Sequence, residues 1–561
     1  MTSRAHSRTV LALTAALALV TAGCTSEAPS APSTAPTTTA GPTAAPSTEP
    51  PTTEPPATEA PSSALAEFGV SAGHPAAVEA GTAILRAGGS AADAAVAAAF
   101  AIAVVEPFAS GIGGGGAAIV APTGGEPEAY DYREVVGQDG VVDARGTGVP
   151  GFVAGMAELH EAHGRLPWAD LLAPAVELAE GHPVSDFLAL RMRSDYGPSA
   201  VADLPHYAPG GVPLAAGQEL VQEELAATMR AIAEEGEAAF YSGALADDLA
   251  AAGIDKASLA AYEVVRSAPV RGPVGDLEVL AAPPALPGVA LIQMLQVAEA
   301  AGAGSAEPGS AEYIEDLSTG WQVADASVQS VLGDPAFVDV PVEELTDPAL
   351  NAELAAGSSA SAGRDDGDVR AADLVPGNTT HLTVVDTDGL MVSMTNTITS
   401  FWGGNDARTV GGFFLNNQLS RFDSISSDAN RAEPGRRSVS WSAPTVVVDG
   451  EGRPVLGLGS PGGRQIPNIL ANVLARWILH DQPLPDAVVA PRFHLEGATL
   501  TAEELPPDAE ELSARGWTLR TVPVEDAVFG SVQALEVDHG SGRVTGAADT
   551  RREAAVEVGS P

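Results

Sequence analysis

The chain has 561 residues and carries 28 Lys and Arg against 73 Asp and Glu, a formal net charge of −45. That balance repels phosphate backbones and anionic headgroups over most of the surface, which argues against a nucleic-acid partner. The length suits two ordinary domains or one large layered one, and the 45% hydrophobic content, mostly Ala, Val and Leu, can fill a core.

Arg4 and Arg8 precede an apolar run from Val10 to Val20 and then Thr21-Ala22-Gly23-Cys24. This is a signal-peptide pattern ending in a lipobox-like sequence, and the run falls short of the ~20 residues a spanning helix needs. Cys24 is the only cysteine, so no disulfide can form within the chain, and acylation explains its position. Residues 1–24 are therefore expected to be a lipoprotein leader, with the protein outside the cytoplasm and touching the membrane through its lipid only. Residues 25–63 are almost entirely Thr, Pro, Ala, Ser and Glu, and read as an extended tether.

From residue 64 the pattern is that of a folded chain. Helical spacing covers Ala76–Leu85, the Ala-rich Ala91–Val105, Leu171–Glu180, Glu223–Glu234 and Leu245–Ala252, with a strand at Ala117–Val120. The glycine run Gly111–Gly116 is expected to end the Ala-rich helix. A polar Gly/Ser/Asp-rich stretch from about Ala352 to Gly377 reads as a connection. Strands His381–Asp386 and Leu390–Asn396 then flank Thr387-Asp388-Gly389, a hairpin signal, and Thr445–Val448 and Val455–Leu458 flank a second turn. Gly459-Ser460-Pro461-Gly462-Gly463 opens a helix expected over Gln465–Leu479. No internal repeat is present.

A threonine hydroxyl is a weak nucleophile unless a base lies beside it, and a threonine at a free chain end can use its own α-amine. Asn378-Thr379-Thr380-His381 lies between the polar stretch and a strand, where an internal hydroxyl could attack the preceding carbonyl and create such an end. Alone, this segment reads as solvated turn residues. It stands, however, in an ordered series: Ala83-Ile84-Leu85-Arg86-Ala87-Gly88-Gly89-Ser90-Ala91-Ala92-Asp93-Ala94-Ala95, Gly111–Gly116, Tyr132-Arg133-Glu134, Leu166-Pro167-Trp168 and Gly333-Asp334-Pro335. Leu415-Asn416-Asn417-Gln418, Gly459–Gly463 and Ala490-Pro491-Arg492-Phe493-His494 complete it.

Over residues 66–556 this series resembles the γ-glutamyltranspeptidase family. The resemblance implies an α+β fold, the four-layer αββα sandwich of N-terminal-nucleophile hydrolases, made as one precursor and cut between Asn378 and Thr379 into a large portion (64–378) and a small catalytic portion (379–561). It implies Thr379 as the nucleophile, Thr397 as its supporting threonine, and Gly462 and Gly463 as oxyanion-hole donors. Arg133 and Ser440 match residues that hold the substrate α-carboxylate, and Gln418 lies in the block that meets its α-ammonium. No cofactor or metal is implied, and His74, His381 and His494 show no ligand spacing. His381 is expected to pack beside its strand.

The resemblance weakens at the ammonium site. Arg421 stands where the family has an aspartate, and like charges about 4 Å apart repel by roughly 4 kcal/mol at an effective dielectric near 20. Asp423, by a shifted register, is the alternative partner. Thr399 replaces an asparagine and Trp441 a second serine, and the loop Ser424–Arg437 is short. Three readings follow: a γ-glutamyl hydrolase or transferase acting on glutathione-like amides, an acylase for glutaryl or cephalosporin-type amides, and an uncleaved, inactive binding lipoprotein. Retention of Thr379, Thr397, Gly462 and Gly463 speaks against the third.

Overall fold

The computed structural model describes residues 64–358, 378–423, 427–524 and 527–561. Cys24, the tether 25–63 and most of the polar connection lie outside the described residues.

Two sheets lie face to face. The first is built from β1 (Phe68–Ala72), β2 (Gly115–Ala121), β3 (Glu128–Asp131) and β4 (Val265–Ser267). The second takes β5 (Val270–Val274) and β6 (Leu277–Ala281) from the same half of the chain. After residue 378 come β7 (Thr380–Val385), β8 (Met391–Thr397), β9 (Thr445–Val448), β10 (Pro454–Gly459), β11 (Gln533–Asp538), β12 (Arg543–Ala548) and β13 (Ala555–Gly559). The strand orders are β13-β1-β7-β8-β2-β3-β4 and β12-β11-β10-β9-β6-β5. Strands from after residue 378 thus sit at the centre of the first sheet, between β1 and β2, and supply four of the six strands in the second. The two portions are interlocked, and neither completes a sheet alone.

Three cores separate the layers. Outside the first sheet pack α1 (Pro75–Arg86), α2 (Ala91–Val105), α3 (Trp168–Glu180) and α4 (Glu223–Glu235), against Val70, Leu382, Val384, Val392 and Met394. Between the sheets lie Ile119, Val385, Met391, Leu280, Val446 and Leu535. Outside the second sheet pack α5 (Gly288–Ala301), α6 (Ala311–Val331), α7 (Pro348–Gly357) and α8 (Ile466–Leu474). This is the expected αββα sandwich.

The small side chains of α2 are what let it lie flat on the sheet: every residue from Ala91 to Val105 is buried. Ser90 starts it through a reciprocal capping box with Asp93. Its end is Val105, capped by the backbone of Glu106, and the glycine run plays no part in stopping it. Gly115 and Gly116 instead open β2, which corrects the expectation from sequence. A Cβ on Gly114 would lie 2.2 Å from the Thr397 carbonyl oxygen, and one on Gly116 2.4 Å from that of Thr395, so these glycines admit the neighbouring strand β8. A second correction concerns 352–357, read as part of the connection but folded within α7. Asp347 caps that helix by accepting from the amides of Ala349 and Leu350, and Asn351 donates to Gln296 on α5 at 2.7 Å.

Candidate active site

The hairpin β7–β8 places the nucleophile by period-two geometry. His381 faces Thr395 and Thr380 faces Asn396 across the ladder, so one further step sets Thr379 opposite Thr397. The side chains of His381, Thr383, Ser393 and Thr395 all turn to the inter-sheet face, and Thr379 and Thr397 share that phase. The Thr379 hydroxyl lies 3.3 Å from that of Thr397 and also contacts the carbonyl oxygen of Asn378. All three residues are buried, and both polar atoms of the Asn378 side chain lack a hydrogen-bond partner among the described residues.

The backbone around Thr397 is unusual. Thr399 adopts φ +80°, a region that β-branched residues rarely enter, and its amide donates to Thr397 Oγ1 at 2.8 Å. Thr397 Oγ1 thus accepts both from the Thr399 amide and from the Thr379 hydroxyl. The Thr399 hydroxyl donates to Gln418 Oε1, and Gln418 Nε2 donates to Ser438 Oγ at 2.9 Å. Gln418 therefore uses both ends of its amide within the protein. Asp423 is exposed at the end of the 3₁₀ turn Gln418–Asp423, whereas Gln418 at its start is buried. Arg421 is half-buried in the same turn, and its carbonyl accepts from Asn430 Nδ2 at 3.1 Å.

Arg133 follows β3 and comes to Thr397 through Gly115, the cross-strand partner of Thr397, since a Cβ on Gly115 would lie 2.8 Å from Arg133 Cα. Its buried guanidinium grips Asp131 through Nε at 2.9 Å and through Nη2, while Nη1 donates to the Ser438 carbonyl at 2.7 Å. Ser440, two residues on, is buried, with its amide donating to Ala285 O at 3.3 Å.

Strand β10 brings the oxyanion candidates. Gly459, at its end, packs on His381, where a Cβ would come within 2.3 Å of the imidazole. The chain then turns through Ser460 and Pro461 to Gly462 (φ +147°) and Gly463 (φ +58°). Both conformations favour glycine. Among the described residues no acceptor takes either amide hydrogen. His381 itself bonds Thr395 at 2.8 Å and Thr383 at 3.1 Å, and burial pushes its pKa down to about 3, so it packs as a neutral ring.

Several charged residues that sequence reasoning passed over meet here. Glu106, at the end of α2, is buried against Thr380, and burial raises its pKa to about 7 against the pull of Arg552. Arg552 Nη1 reaches the Thr379 carbonyl at 3.4 Å, and burial lowers its pKa to about 10. Glu134, next to Arg133, is fully buried and raised to about 8 by desolvation. Glu134 stood within a quoted motif, but neither Glu106 nor Arg552 carries a local sequence signal. Among the described residues no three His, Cys, Asp or Glu side chains gather as a metal-binding group.

Sheet order, layered helices and a buried threonine at the head of a central strand define an N-terminal-nucleophile hydrolase. The chain belongs to the gamma-glutamyltranspeptidase family, whose model matches residues 77–559, and it is a γ-glutamyltransferase-like hydrolase. It is 38% identical over 493 residues to the capsule biosynthesis protein CapD proenzyme of Bacillus anthracis, covering 86% of this chain and 89% of that one. It is 31% identical over 535 residues to the glutathione hydrolase proenzyme of Bacillus subtilis (strain 168), covering 87% and 90%. Among solved structures it is similar to a cephalosporin acylase from Bacillus halodurans, with a TM-score of 0.78 and 25% identity over 90% of this chain and 99% of the other.

Proposed function

We propose that the protein cuts itself between Asn378 and Thr379, then hydrolyses a γ-glutamyl or related acyl amide such as glutathione, or transfers its acyl group to an amine. One observation carries the reading: the buried Thr379 hydroxyl contacts the carbonyl that precedes it, with the Thr397 hydroxyl 3.3 Å away. In maturation Thr379 Oγ1 attacks the Asn378 carbonyl carbon, the peptide C–N bond breaks and its nitrogen gains the proton. Water then cleaves the ester, leaving a carboxylate on Asn378 and a free α-amine on Thr379. In turnover that amine accepts the hydroxyl proton as Oγ1 attacks the substrate amide. The Gly462 and Gly463 amides donate to the developing oxyanion, a contribution of about 3–4 kcal/mol per donor. The leaving amine departs with the proton, and water or an acceptor amine releases the acyl group.

Arg133 and Ser440 serve the acid end of the acyl group in this reading, with Arg133 exchanging a contact to the Ser438 carbonyl for the substrate. The glutathione hydrolase relative supports a γ-glutamyl donor. A second reading, an acyl group without an α-ammonium such as glutaryl, is favoured by the closed Thr399–Gln418–Ser438 chain and by Arg421 in the same turn. Assays with a chromogenic γ-glutamyl anilide and its glutaryl analogue, on wild type and Thr379→Ala, separate the cases. Turnover of the γ-glutamyl compound at millimolar concentration, lost in the variant, supports the first reading, and turnover of the glutaryl compound alone supports the second. An uncut chain that turns over neither is the binding lipoprotein. Lipid attachment at Cys24 and a place outside the cytoplasm belong to the same proposal, and membrane partitioning unchanged by Cys24→Ala would reject them.

A further inference from the structure

Arg464 directly follows the two glycines of the oxyanion turn, and it is almost entirely enclosed. Its guanidinium lies 5.1 Å from the ring centroid of Trp321 and 5.2 Å from that of Trp441. Its edges are filled as well: Nη1 pairs with Asp325 at 2.8 Å, while Nε and Nη2 reach the two oxygens of Glu496 at 3.2 and 3.1 Å. Glu496 in turn bonds His494 Nε2 at 2.8 Å, and the His494 ring stands edge-on to Trp321. Trp321 and Asp325 are one helical turn apart on α6, and His494 and Glu496 share one face of the strand Phe493–Glu496. One side chain thus ties the oxyanion turn to a long helix, to a strand and, through Trp441, to the segment carrying Ser440.

The other end of the turn is held separately. Ser460 Oγ donates to the Pro461 carbonyl at 2.7 Å and accepts from the Ser531 amide at 3.2 Å. Between these two anchors Gly462 and Gly463 contribute no side chain of their own, so their amide directions depend on what fixes the turn at each end. A planar, bidentate and stacked cation does this as no ammonium can.

Resting on the acyl-transfer reading above, we propose that Arg464, packed against the touching rings of Trp321 and Trp441, whose centroids are 6.4 Å apart, is a positioning residue that aims the Gly462 and Gly463 amides at the oxyanion. Trp441 has a second effect: it couples that aim to the loop meeting the acid end of the acyl group. An oxyanion donor acts on the transition state more than on bound substrate, so loosening the clamp lowers kcat and leaves KM nearly unchanged.

The test uses the mature full chain as wild type, Arg464→Lys, Trp441→Phe and Trp441→Leu, on whichever acyl anilide the wild type turns over. Cleavage extent, melting temperature, kcat, KM and the Ki of a boronic acid carrying the same acyl group are measured. Arg464→Lys and Trp441→Leu are expected to mature and to lose roughly 30- to 100-fold in kcat, with KM within about twofold and the boronate Ki rising in step. Trp441→Phe keeps a stacking face and retains kcat within a few-fold. Unchanged kcat in Arg464→Lys overturns the proposal, as does a raised KM at constant kcat, which would mean the stack only shapes the acyl pocket. If Arg464→Lys fails to fold, the Trp441 pair decides alone, and equal kcat in Phe and Leu variants overturns it. A wild type that stays uncut removes the underlying reading instead, which separates the two failures.

Discussion

At the scale of single residues the site is held by strain as much as by contacts. Thr399 at φ +80° costs on the order of 1–3 kcal/mol, and its amide and hydroxyl each make a bond that orients a neighbour, Thr397 or Gln418. Asparagine tolerates that backbone but lacks the hydroxyl that binds buried Gln418, so in urea titration Thr399→Asn is expected to stay within about 1 kcal/mol of wild type, while Thr399→Val, which keeps the strain and loses the bond, falls by about 1–3 kcal/mol. Thr397→Ala removes the hydroxyl that faces Thr379, and turnover should fall at least about tenfold in steady-state assays while the fold persists. The hairpin that carries Thr379 and Thr397 was legible from its Asp-Gly turn and flanking strands, whereas Thr397 as the partner of Thr379 came from the family resemblance alone. Glu106 and Arg552 were not legible, since only the sheet order brings the end of α2 to Thr380 and the chain after β12 to Thr379.

Among elements, the glycine run shows where a local reading fails. Glycine is a poor helix residue, and a run of it after an alanine-rich helix reads as a stop. Its use here is steric: β8 passes so close to β2 that a Cβ on Gly114 would lie 2.2 Å from the carbonyl oxygen of Thr397. Gly114→Ala is therefore expected to cost about 2–4 kcal/mol and to displace Thr397, giving a soluble chain with a lower melting temperature and impaired cleavage. The helices and hairpins that the sequence announced are those with strong periodicity or turn chemistry. The last turns of α7 were hidden because their polar composition reads as a connection, while Asn351 anchors that helix to Gln296 from within.

For the whole molecule, the interleaving of strands from both sides of residue 378 means that the proposed cleavage would leave one fold, with stability belonging to both portions together. The interior also sets a pH limit. His381 is buried as a neutral ring with its pKa depressed from 6.5 to about 3, so its contribution is present above pH 6.5 and is lost as pH falls toward 3. Denaturant titrations across that window should show about 1.4 kcal/mol lost per pH unit from this group, a slope absent in His381→Gln.

The central claim is that Thr379 is made into a chain end by its own hydroxyl. Intact mass and N-terminal sequence of purified residues 25–561, beside the Thr379→Ala variant, test it directly. Two fragments are expected from the wild type alone, the smaller beginning at Thr379, and a single chain from the variant. Two fragments from both proteins, a smaller fragment beginning elsewhere, or a wild type that stays whole would contradict it.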